Sequence, residues 1–133
     1  MTSGTTQNPS PRRILIVDDD KTIGGMVQAI LGRFQYQVRW ATTGASGLSE
    51  LATFSPDLVL LDVSLPDMNG VYVLHQMRAI SPQVKVIMIT GFHDDDLTHR
   101  TRQDGVTDFL DKPFTVQELI PVVSGYFPES TTT

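Results

Sequence analysis

The sequence predicts an α/β fold, a doubly wound parallel sheet of five strands. Three observations carry that prediction. Short apolar runs recur five times along the chain, and the segments between them place apolar residues at helical spacing. The joining stretches are short, as in alternating β and α elements of one sheet. Four of the runs end in polar residues, at the edge where parallel sheets gather their chemistry. With 133 residues there is room for one domain with a real core.

Residues 1–11 are Ser, Thr, Gly and Pro with almost nothing apolar, and read as a disordered tail. Ile14 to Val17 is the first strand, running into Asp18, Asp19 and Asp20. From Lys21 a helix follows with Ile23, Met26, Val27, Ile30, Leu31 and Phe34 on one face. Its three glycines weaken propensity, so packing must hold it. Val38 to Ala41 is the second strand. Gly44 to Phe54 is a helix with Ala45, Leu48, Leu51 and Ala52 inward, stopped before Ser55-Pro56.

Leu58 to Leu61 is an unbroken apolar run, suited to a strand buried on both faces. It ends in Asp62 and a loop holding Ser64, Pro66, Asp67, Asn69 and Gly70. Val71 to Ala79 forms the next helix, with Leu74 and Met77 inward. Val84 to Ile89 is the fourth strand, closing on Thr90 and Gly91. His93 to Asp104 is conspicuously polar and offers only Leu97 to a core; it reads as a helix with Gly105 just past its end. Thr107 to Leu110 is the fifth strand, leading to Asp111, Lys112 and Pro113. Thr115 caps a last helix reaching about Tyr126, which Pro121 should bend or fray in its first turns.

In a parallel sheet Asp18, Asp19, Asp20, Asp62, Thr90 and Lys112 point to one edge, with neighbouring strands about 4.8 Å apart. Carboxylates crowded there repel, and a hard cation such as Mg²⁺ is the usual remedy. A lysine opposite balances charge and can hold an anion. The chemistry that suits this set is phosphoryl transfer to a carboxylate: Asp62 attacks in line, and Thr90 donates a hydrogen bond to the acyl phosphate.

The totals narrow the field. A net charge of -5 argues against gripping a nucleic-acid backbone directly, and the absence of cysteine excludes thiol catalysis and thiolate metal sites. The N-terminus lacks an apolar signal region and no run spans a membrane, so a cytoplasmic location follows by default.

Four motifs, ILIVDDD, DLVLLDVSLPDMNG, VIMITG and DFLDKPF, stand in the order found in response-regulator receiver domains of two-component signalling. The chain resembles that family over about residues 12–126, with 127–133 as a second disordered tail. The resemblance implies a flavodoxin-like (βα)5 fold and makes Asp62 the phosphoacceptor. Asp18 and Asp19 would then hold Mg²⁺, Asp19 directly and Asp18 mainly through water, and Ser64 would add its backbone carbonyl. Thr90 and Lys112 would contact the phosphoryl group, Phe109 would be the switch aromatic, and Pro113 the family's often-cis proline. The donor would be a histidine kinase or phosphotransfer protein. Phosphorylation would draw Thr90 toward Asp62 and let Phe109 rotate, changing the surface of the fourth helix, fifth strand and fifth helix. That surface would also serve any homodimer. Phe92, two residues after Thr90, would screen the phosphoryl group from water.

Other readings stay beside these. Asp20 is expected to be a helix cap and Asp67 and Asn69 turn formers. Asp94, Asp95 and Asp96 read as a solvated helix start. His75, His93 and His99 read as surface residues, and Trp40 as core. A Mg²⁺-dependent hydrolase with Asp62 as nucleophile is the alternative function; such enzymes usually carry a second carboxylate where Ser64 stands, and a cap domain. A flavodoxin-like cofactor binder lacks its phosphate loop. The sequence therefore reads as a phosphoacceptor domain that catalyses only its own phosphorylation and dephosphorylation. The stretch after residue 126 carries no output-domain pattern, which fits equally a stand-alone receiver and a receiver cut from a larger regulator or hybrid kinase.

Overall fold

The apolar runs become strands β1 Arg13–Val17, β2 Gln37–Ala41, β3 Leu58–Asp62, β4 Lys85–Thr90 and β5 Asp108–Asp111. Helices α1 Lys21–Arg33, α2 Gly44–Phe54, α3 Gly70–Ile80, α4 Asp95–Arg102 and α5 Val116–Ser124 alternate with them. The computed structural model describes residues 12–127, so the two expected tails lie outside the described residues except for Phe127. Phe127 is no tail residue: it is buried and its ring lies 5.5 Å from that of Tyr36.

All strand pairs are parallel, in the order β2-β1-β3-β4-β5. This is the doubly wound, flavodoxin-like arrangement that the sequence predicts. Strand alternation sends side chains to two cores. Ile14, Ile16, Leu58 and Leu60 meet Val27 and Leu31 of α1 and Leu119 and Val123 of α5. Leu15, Val17, Val59 and Leu61 meet Leu51 and Phe54 of α2 and Val73, Leu74 and Met77 of α3.

Several helix faces differ from the periodic reading. Phe34 is the C-cap of α1 and 56% exposed, because the chain leaves the helix before that face returns to the core. In α2 the inward set is Gly44, Gly47, Leu51 and Phe54, while Ala45 and Ala52 face solvent. Contact there is close enough that a Cβ on Gly47 would lie 2.9 Å from the Val17 side chain. Gly70 opens α3 for a stronger reason, since its Cβ would sit 2.3 Å from the Asp62 carbonyl oxygen.

Helix α4 is shorter than residues 93–104. Asp94 caps it by accepting from the Leu97 N–H at 2.9 Å, with Asp95 and Asp96 in the first turn and basic residues in the last. Leu97 is buried, and so is Thr101, whose hydroxyl donates to the Leu97 carbonyl at 2.8 Å. Gly105 follows with φ 67°. Helix α5 stops at Ser124, short of Tyr126, and its first turn does not fray: Thr115 and Glu118 complete a reciprocal capping box ahead of Pro121.

Candidate functional site

The strand register builds the site. Val17 pairs with Leu61, which brings Asp18, just past β1, level with Asp62 at the end of β3. Asp62 pairs with Ile89, so Thr90 lies one step further along the edge. Thr90 pairs with Asp111, and Lys112 follows it. Asp18, Asp62 and Thr90 are buried, while Asp19 and Asp20 face solvent.

Asp18, Asp19 and Asp62 each present a carboxylate oxygen within 4.8 Å of the others. Lys112 Nζ lies 3.2 Å from Asp18 Oδ2 and 3.4 Å from Asp62 Oδ2. Asp18 Oδ1 accepts from the Asp20 N–H at 2.9 Å, and Asp62 Oδ1 accepts from the Ser64 N–H at 3.2 Å. Burial, then the Asp18 charge, push the Asp62 carboxyl up to about 6, against the Ser64 N–H and Lys112. Burial pulls the Lys112 ammonium down, but the carboxylates of Asp18 and Asp62 outweigh it and its pKa is raised.

One ammonium therefore faces two carboxylates of a cluster of three. Asp18 Oδ2 is buried with Lys112 nearby but has no aligned hydrogen-bond donor. An under-satisfied buried oxygen and a carboxyl held up by burial and by a neighbouring charge both fit a hard divalent cation with oxygen ligands.

The other expected residues divide. Thr90 is at the edge, but its hydroxyl turns to its own loop: it donates to the Phe92 carbonyl at 2.9 Å and accepts from the Phe92 N–H at 3.0 Å. The Lys112-Pro113 bond is cis. Phe92, expected to screen the phosphoryl group, is 76% exposed. Asp20 caps α1 and Asn69 caps α3. Asp67 reaches across to α2, accepting from the N–H groups of Gly44 at 2.7 Å and Ala45 at 3.0 Å; these donors lower its pKa.

His93 is the residue that sequence reasoning missed. Its ring stacks on Phe109 at 4.1 Å, and its Nε2 lies 2.7 Å from Thr98 Oγ1. Phe109 is half-buried beneath it. No local pattern announces that contact, because His93 sits in the β4–α4 loop and Phe109 in strand β5.

The response regulator receiver domain model matches residues 14–124. The chain belongs to that family. Among curated relatives, the receiver resembles the sporulation initiation phosphotransferase F of Bacillus subtilis, 32% identical over 116 residues, covering 87% of this chain and 94% of that protein. It resembles the transcriptional regulatory protein QseB of Haemophilus influenzae at 36% identity over 107 residues, covering 80% of this chain but 48% of QseB. So it spans nearly all of one relative and about half of the other. A CheY-like receiver domain structure from Methanospirillum hungatei superimposes with TM-score 0.86 at 31% identity, covering 91% of this chain and 97% of that one. As a receiver domain the protein is a phosphorylation-dependent signalling switch of two-component systems, and nothing in these likenesses favours a hydrolase. No helix among the described residues is long and apolar enough to cross a membrane.

Proposed function

We propose that Asp62 is the phosphoacceptor, taking its phosphoryl group from a phosphohistidine of a histidine kinase or phosphotransfer protein. The observation that carries this reading is the shared Lys112 ammonium, 3.2 Å from Asp18 and 3.4 Å from Asp62 at a buried sheet edge. An Asp62 oxygen forms the new bond to phosphorus as the bond from phosphorus to the imidazole nitrogen breaks. The nitrogen keeps that electron pair, and the product is an acyl phosphate. Lys112 sits where it can pair with the incoming phosphoryl oxygens once they displace it from Asp62. A divalent cation such as Mg²⁺, held by Asp18, Asp19, Asp62 and the Ser64 carbonyl, supplies further positive charge against the phosphoryl oxygens.

Thr90 and the β4–α4 loop form the switch. Turning the Thr90 hydroxyl toward a phosphoryl group on Asp62 breaks both of its hydrogen bonds to the Phe92 backbone. His93 is the next residue, and it is stacked on Phe109. Release of that loop therefore alters what holds Phe109 half-buried, and the surface of α4, β5 and α5 changes with it.

The test is incubation with Mg²⁺ and acetyl phosphate, beside an Asp62→Asn variant, read by intact mass. A single phosphoryl adduct on the parent and none on the variant is the expected result. An adduct that persists in Asp62→Asn would move the acceptor elsewhere.

A further inference from the structure

The single tryptophan of the chain packs against the core as its reading expects, and it also makes a polar contact with the backbone of Asp18. Trp40 lies on the edge strand β2, in register with Ile16 of β1. Its indole N–H donates to the Asp18 carbonyl oxygen at 2.8 Å. On its other side β2 accepts from Asp18, since the Asp18 N–H donates to the Ala41 carbonyl at 3.0 Å. The ring lies against the first turns of α1, where a Cβ on Gly24 would fall 2.1 Å from Trp40 Cε2. Gly24 is thus the opening that lets the indole reach the β1–α1 loop.

We infer that Trp40 is a positioning residue for the acidic pair, fixing the Asp18–Asp19 peptide so that both carboxylates are presented to a divalent cation. The carbonyl that Trp40 holds belongs to the same peptide unit as the Asp19 N–H, and peptide units are rigid planes. Holding one end sets the direction in which exposed Asp19 leaves the strand. Asp18 itself is then located by its N–H, its carbonyl and its Oδ1, which accepts from Asp20. Asp19 has no such set of its own among the hydrogen bonds that shape this loop, so its placement depends on the peptide before it. Three carboxylates within 4.8 Å of one another repel, which works against this loop geometry until a cation binds. A tie from the neighbouring strand opposes that repulsion and lowers the ordering cost of binding.

This inference rests on the reading of Asp18, Asp19 and Asp62 as cation ligands, and the test separates the two. Trp40→Phe keeps an aromatic side chain on β2 but removes the indole N–H together with the fused-ring atoms that lie against Gly24. Calorimetric titration with MgCl2 alone should show the half-saturating concentration rising about fivefold, the net worth of roughly one neutral hydrogen bond. The Mg²⁺ dependence of phosphorylation by acetyl phosphate should move by the same factor, which a simple loss of core packing would not produce. In the ¹⁵N-labelled parent, the Trp40 indole N–H resonance should exchange slowly with solvent and shift with the calorimetric midpoint. That measurement stands even if the variant does not fold. Equal Mg²⁺ affinity in parent and variant, or an indole resonance unmoved through saturation, would overturn the inference while leaving the cation site intact. A parent that binds no Mg²⁺ would remove both.

Discussion

The half of the sheet edge that carries the proposed acceptor and the half that carries the proposed switch are built to different standards. Asp62 ends a strand in which all five residues are buried, and Asp18 follows four buried residues of β1. Phe109, by contrast, sits in β5, a four-residue edge strand with one buried position. Helix α4 beside it has eight residues, of which Leu97 and Thr101 are buried. Local stability follows the apolar area that each segment buries. The carboxylates thus stand on a well-packed frame, while the residues proposed to move stand on a thinly packed one. A two-state switch needs both: a fixed place for the charge change and an element with a small barrier to a second arrangement.

The largest effect that would sharpen this contrast is expected at Gly70. In Gly70→Ala the new methyl would meet the Asp62 carbonyl oxygen at 2.3 Å and the Val63 Cα at 2.7 Å, and backbone cannot yield as a side-chain tip can. Urea unfolding should show a loss of about 3 kcal/mol or more. A smaller cost would mean that the acceptor frame is softer than its burial implies.

Leu97→Ala probes the other half. It should cost about 2–3 kcal/mol, and the cost should be local. Hydrogen exchange is expected to rise in α4 while β3 amides stay protected. Equal rises in both would show that the two halves unfold as one unit and would break the comparison.

The ionisation of Asp62 gives a third handle. Its carboxyl titrates near 3.8 unfolded and at about 6 folded, so between those values the folded state binds more protons. Its contribution to stability is complete below the lower value, falls as pH rises through the window, and levels off above the upper one. Lys112, raised from 10.5, keeps its contribution throughout this range. Thermal midpoints measured in chelator should decline across the window in the parent and stay flatter in Asp62→Asn. Parallel slopes would remove the assignment.

The smallest effect is at His93. His93→Ala deletes the stacked ring over Phe109 and should cost about 0.5–1 kcal/mol. Phe109 ring resonances should shift, with little change near Asp62. Unaltered Phe109 resonances would show that the stack does not restrain the ring.

Much of this architecture was legible in the sequence because it depends on local chemistry. Unbroken apolar runs mark strands buried on both faces, and Asp20 and Thr115 mark helix starts because their oxygens accept nearby N–H groups, whereas Asn69, read as a turn former, caps α3. Helix phase was less legible at the ends. Phe34 continues the apolar spacing of α1 but lies beyond its last turn, and Ala45 and Ala52 are small enough to suit either face of α2. Thr101 had a readable signal, four residues after Leu97, but a hydroxyl in a polar stretch gives no hint that it satisfies itself on its own helix.

The sequence by itself determined the five strands, the order of helices and the gathering of Asp18, Asp62, Thr90 and Lys112 at one edge, since each follows from periodicity and parallel register. Only the tertiary structure decided that Asp67 caps a helix 23 positions earlier in the chain, that Trp40 holds Asp18, and that His93 lies on Phe109. Those contacts join residues that no local rule relates. Their geometry comes from how closely the packed strands and helices approach, which is set by the summed shape of the core rather than by any one stretch of it.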